Sequence, residues 1–134
     1  MILEWIAFGI ALLVGMGIAI IGTCLIAWPI GTASGFGLPI PKDPGFRWWL
    51  RIKGVRDLTA GLILLCALVW GGPTTLAVVL LVQSLIPLGD MTTILVARGP
   101  VRTALGVHGL TAVLMLLAAL MFWAAWSPGL THGL

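Results

Sequence analysis

Residues 3–28 read LEWIAFGIALLVGMGIAIIGTCLIAW and hold a single charged side chain, Glu4. Crossing a hydrocarbon core of about 30 Å takes roughly 20 helical residues, so this stretch is long enough to span a membrane. It is too long for the core of a signal peptide, and Glu4 stands where such a peptide carries positive charge; a retained span is expected. Ala7, Ala11, Gly15, Ala19, Thr23 and Ala27 recur every four positions, a stripe of small residues that lets another helix backbone come close.

The rest of the chain repeats the character of this segment. Of 134 residues, 60% are hydrophobic and 8% charged, outside the range of water-soluble domains. Lipid is the expected solvent, and the length holds about four spans with no room for a separate soluble catalytic domain. The excess of positive charge comes from seven Lys and Arg residues that form no basic run, so nucleic acid is not an expected partner. Cys24 and Cys66 form no CxxC motif and fall at opposite membrane depths, so neither a disulfide between them nor a thiol redox centre is expected.

After the first span, GTASGFGLPIPKDPG (31–45) packs four glycines and three prolines into one loop, which argues against a regular helix and marks a segment where function can sit. A second span is expected over 47–70, where RWWLRIKGVRD is charged and LTAGLILLCALVW is apolar. Gly71, Gly72 and Pro73 turn the chain into a third span, 74–97, which Pro87 should kink. Arg98, Gly99 and Pro100 end it, a fourth span covers 101–126, and the tail SPGLTHGL is expected to be loose. The fold class expected is all-α, a single domain (1–134) forming a four-helix transmembrane bundle with the connection 29–46 as a cytoplasmic loop.

Lys42, Arg47, Arg51, Lys53 and Arg56 flank that loop, and Arg98 and Arg102 flank the third connection, while the Gly71 turn and both ends of the chain carry no Lys or Arg. By the positive-inside rule both charged connections face the cytoplasm and both termini face away from it, in an inner, cell-type bacterial membrane. Trp28, Trp48 and Trp49 then fall at the cytoplasmic interface and Trp5, Trp70, Trp123 and Trp126 at the other, as an aromatic belt requires.

Ionisable groups inside a span are costly, and three share a depth. At 1.5 Å per residue, Asp57 lies roughly 15 Å in from Arg47, Asp90 roughly 12 Å from Arg98 and His108 roughly 9 Å from Arg102. Each sits on a face bearing small or polar neighbours: Gly61 near Asp57, Gln83 on the stripe of Asp90, and Ala104, Thr111 and Ala112 near His108. Arg56 points about 100° from Asp57 and either bends inward or snorkels to the headgroups. If it turns inward, it holds one aspartate ionised and leaves one proton shared between an Asp and a His, an arrangement that suits general acid and base catalysis or proton-coupled transport equally.

The catalytic candidates are therefore Asp57, Asp90, His108 and Arg56. Gln83, Thr23, Trp49 and Phe36 are the candidates for substrate contact. A structural polar network that locks helix register is the competing reading of the same residues, and a Lys53–Asp57 pair at i, i+4 is the local one. One His and two carboxylates match a metal triad only in residue type, His132 lies in the tail, and no P-loop, nucleophile elbow, dinucleotide fingerprint or zinc spacing occurs; neither metal nor cofactor is expected.

GFGLP (35–39), KGVRDLTAG (53–61), IPLGD (86–90) and HG (108–109), in that order, resemble the small bacterial and fungal membrane proteins grouped as domain of unknown function four-two-six-seven. The resemblance covers nearly the whole chain. It implies a four-helix membrane fold and weight on Gly35, Gly37, Pro39, Gly54, Arg56, Asp57, Gly61, Pro87, Gly89, Asp90, His108 and Gly109, and supplies no chemistry. Small multidrug-resistance transporters use a glutamate in the middle of the first helix, where this chain has none. Sterol isomerases of the emopamil-binding type offer only an analogy of residue types.

Three functions remain open on sequence. The first is a site, entered from the cytoplasmic leaflet, that binds a lipophilic small molecule and protonates or isomerises it. The second is a proton-coupled carrier, for which a homodimer is expected because four short helices enclose little volume. The third is a structural or accessory subunit. Membrane lipid is the expected partner in all three.

Overall fold

The computed structural model describes residues 2–126, and all their regular structure is helical. Helix α1 runs Ile2–Ala27, α2 Pro29–Ala33, α3 Phe46–Trp70, α4 Pro73–Gln83, α5 Leu85–Val96 and α6 Val101–Thr103; a π-helical segment, Ala104–Gly109, then leads into α7, Leu110–Trp126. The expectations for the tail 127–134, including His132, lie outside the described residues.

Among the described residues, three helical stretches are long and apolar enough to cross a membrane: Ile2–Ala27, Pro73–Val96 and Val101–Ala125. The chain is a membrane protein. Helix α3 is as long as these, but Arg47, Arg51, Lys53, Arg56 and Asp57 crowd its first half, and only its second half is uniformly apolar. Large side chains cover the outside, among them Leu13, Val69, Val78, Leu81 and Leu120. Hydroxyls follow the rule for a solvent without hydrogen bonds: Thr23, Thr59, Thr92, Thr93 and Thr111 each donate to the carbonyl four residues earlier.

Because lipid tails are as apolar as leucine, helices here must associate through close packing rather than escape from water. The α1–α3 contact shows how close. A Cβ added to Gly61 would lie 2.6 Å from the Ala19 nitrogen, one on Gly54 2.8 Å from the Gly22 carbonyl oxygen, and one on Gly22 would collide with the Leu58 nitrogen. Farther along, Ala7, Ala11, Val14, Leu64, Leu68, Leu76, Leu80, Met115, Ala118 and Phe122 make the main core where α1, α3, α4 and α7 meet. A smaller core of Leu25, Ala33 and Leu50, with Phe36, Ile40 and Phe46 against it, lies under the loop at the other end.

Two local features differ from the sequence reading. The connection after α1 is not wholly irregular, since Pro29 occupies the first turn of α2, where its missing N–H costs nothing, and the winding stops before the densest Gly and Pro residues. The third span breaks at Ser84 rather than at Pro87 itself, because Pro87 offers no N–H to the Gln83 carbonyl one turn upstream. At the end of α5, Arg98 adopts a left-handed φ of 55°; its N–H bonds the Leu95 carbonyl at 3.0 Å and that of Gly99 bonds the Ile94 carbonyl at 2.8 Å, a Schellman ending with arginine where glycine is usual. Gly99 itself must be small, since a Cβ there would meet the Gly37 oxygen at 2.8 Å, and this contact fixes the loop over the site.

Candidate functional site

Helix α3 presents Lys53 and Asp57 one turn apart, α5 presents Asp90, and the π-helical segment presents His108. The Lys53 ammonium donates to both Asp57 oxygens, at 3.2 and 3.0 Å, and reaches Asp90 Oδ2 at 3.5 Å. The same Asp90 oxygen lies 3.7 Å from His108 Nδ1, an approach that becomes an ion pair when the imidazole is protonated. Lys53 therefore ties two carboxylates on different helices, and each charge offsets part of the desolvation of the others.

The four groups are not equally buried. Side-chain exposure is 8% for His108 and 12% for Asp57, against 32% for Lys53 and 35% for Asp90. Asp57 is tightly paired and enclosed, whereas Asp90 is loosely held and accessible. His108 Nε2 is buried without a hydrogen-bond partner. Such an orphan is costly unless something else satisfies it. The π-helical winding around His108 is itself unusual, a form found mostly as single turns and often at functional sites.

A cavity of about 90 Å³ opens on this cluster, lined by the four charged or titratable groups together with Ile18, Ile21, Phe36, Ala60, Ile86, Pro87, Val107 and Thr111. Phe36 comes from the loop, stacks on the His108 ring at 6.0 Å between centroids, and has the Lys53 ammonium 5.4 Å from its own. A second, adjoining cavity of about 80 Å³ shares Phe36, Lys53, Asp90 and His108 and extends to Leu38, Thr93 and Ile94. Among the described residues, no group of three His, Cys, Asp or Glu side chains could hold a metal ion.

A family model described as a domain of unknown function, DUF4267, matches residues 15–123. The chain belongs to this family. Neither curated proteins nor solved structures yield a match. The matched span of the DUF4267 chain includes every residue of the cluster and both of its cavities.

Asp57, Asp90, His108 and Phe36 meet in the DUF4267 chain, and four other sequence candidates stand elsewhere. Arg56 is exposed on the outer side of α3 and lines neither cavity; the cation at the site is Lys53. The 100° between neighbouring helical residues separates Arg56 from Asp57, while the i, i+4 spacing places Lys53 on the Asp57 face. Thr23 is exposed with its hydroxyl bonded to the Ala19 carbonyl. Trp49 is 69% exposed and lines neither cavity. Gln83 lies outside the cavity lining; its amide donates to the Ala60 carbonyl at 3.1 Å and ties α4 to α3, the break at Ser84 having reset its register with Asp90. The residue that sequence reasoning underweighted is Lys53, read there as a merely local partner of Asp57.

Proposed function

We propose that this DUF4267 protein is a four-helix transmembrane bundle, multi-pass in a bacterial inner membrane with both termini on the non-cytoplasmic side, that binds a small lipophilic molecule at the Asp57, Asp90 and His108 cluster. The asymmetry of Lys and Arg supports the topology, because all seven lie at or near the two connections placed in the cytoplasm. It also puts the cluster in the cytoplasmic half of the bilayer. The observation that carries the binding reading is the accessible, loosely held Asp90 beside His108 in a largely apolar cavity.

Size limits what enters. Sites for whole drug-sized ligands have volumes of about 300–1,000 Å³, so a cavity of about 90 Å³ takes the polar end of a ligand and a few carbons. The remainder would lie along Ile21, Ile86 and Val107, which line the cavity yet are exposed on the outer surface facing the acyl chains. Asp90 and His108, 3.7 Å apart at the cavity, are the pair placed to exchange a proton with such a ligand.

Small molecules co-purifying with the native protein in mild detergent should include a lipophile that is missing from Asp90→Asn and His108→Ala protein prepared identically and equally well folded. Mass spectrometry reads the difference. An identical set of molecules from all three proteins contradicts the assignment, and pH-driven flux of a solute in proteoliposomes would move it to a carrier.

A further inference from the structure

The polar atoms around the cavity are unequally committed. Lys53 has three N–H bonds, and they face both oxygens of Asp57 and one of Asp90. The Thr111 hydroxyl donates its proton to the Val107 carbonyl at 2.8 Å. The Asp90 carboxylate, 3.7 Å from His108 Nδ1 and 3.5 Å from the Lys53 ammonium, is held by neither at close range. What remains for an incoming molecule is therefore acceptors, the accessible Asp90 carboxylate and the Thr111 oxygen.

Charge points the same way. The titratable groups facing the cavity are Lys53 and Asp57 from α3, Asp90 from α5 and His108 from the π-helical segment; α1 contributes Ile18 and Ile21, and the loop contributes Phe36. With His108 neutral these sum to one negative charge, held in surroundings where an uncompensated carboxylate is costly. Either a bound proton or a cation restores balance, and Phe36 presents an aromatic ring of the kind that attracts cations.

We infer that the cavity accepts the protonated amine of a molecule with an apolar tail, the ammonium meeting the Asp90 carboxylate while the tail leaves over Ile21, Ile86 and Val107. This inference rests on the lipophile-binding reading and names its ligand class. The ammonium supplies the positive charge that the cluster lacks. A free alkylamine and a primary-amine lipid headgroup present the same chemistry.

The test uses the full-length protein in phosphatidylcholine nanodiscs, with decylamine, decanol and decanoate as probes in titration calorimetry. Decylamine should bind, and its affinity should fall at least tenfold in Asp90→Asn. Ile86→Trp, which fills the cavity mouth and leaves every charge in place, should weaken it as well. Decanol and decanoate should bind at least tenfold more weakly than the amine. If phosphatidylethanolamine in the nanodisc competes with decylamine, the headgroup is a source of the ligand; if it does not, the source is a free amine. Binding of decanol or decanoate in preference to decylamine, still lost in Ile86→Trp, would overturn the amine assignment and leave the lipophile site standing. Absence of binding by all three probes would overturn both.

Discussion

Lys53 is the side chain on which the site's electrostatics turn. Among the described residues it is the one Lys or Arg that pairs with Asp57 and Asp90, whereas Arg56, three positions on, is exposed on the outside of the same helix. Replacing Lys53 with Met should leave two carboxylates without their counter-charge and cost about 1–3 kcal/mol of stability, below the roughly 3–5 kcal/mol of a fully buried pair because Lys53 is partly exposed. Arg56→Met should change stability by less than about 0.5 kcal/mol. Unfolding in detergent measures both; equal losses from the two substitutions would contradict the assignment. The i, i+4 spacing of Lys53 and Asp57 was legible in the sequence, and so was the common depth of Asp57, Asp90 and His108. That Lys53 also bridges to Asp90 on another helix was not, since nothing local encodes how α3 and α5 are rotated about their axes.

At the level of elements, the four-residue stripe on α1 illustrates how periodicity both informs and misleads. Four residues turn a helix by about 400°, so a strict four-residue stripe drifts by about 40° at each step. Ala7, Ala11 and Gly15 are buried as expected, but by Thr23 and Ala27 the stripe has rotated into exposure and Gly22 and Leu25 have taken its place against α3. The contact at Gly61 is tight enough that Gly61→Ala, although it raises helix propensity, should force α1 and α3 apart and cost about 1–3 kcal/mol. Gly17→Ala, with nothing within 4 Å of the added carbon, should be neutral or slightly stabilising. Thermal melting of the two variants tests the packing, and an unaffected Gly61→Ala would mean the helices are not so closely apposed. The π-helical turn at Ala104–Gly109 left no sequence signal beyond Gly106 and Gly109, because a widened turn is selected by tertiary packing rather than by local preference.

Across the whole molecule, the polar cluster lies between two apolar regions, with the core of Ala7, Leu64, Leu80 and Met115 on one side and the small core of Leu25, Ala33 and Leu50 under the loop on the other. The ends of the first two long helices were readable from composition, because span length and Gly and Pro punctuation are local properties: 3–28 became Ile2–Ala27 and 47–70 became Phe46–Trp70, whereas the breaks inside 74–97 and 101–126 and the short helix in 29–46 were not. The loop's placement over the site depends on the Gly37–Gly99 contact, a pairing of residues far apart in sequence that no local pattern announces. The central claim is that this middle region is a ligand site and not a structural brace. Photo-crosslinking with an alkylamine bearing a diazirine on its chain, followed by peptide mapping of the protein in nanodiscs, tests it most directly. The account predicts adducts concentrated on Ile21, Ile86 and Val107 that disappear in Asp90→Asn; labelling spread evenly over lipid-facing positions such as Leu13, Val78 and Leu120, and unchanged in that variant, would contradict it.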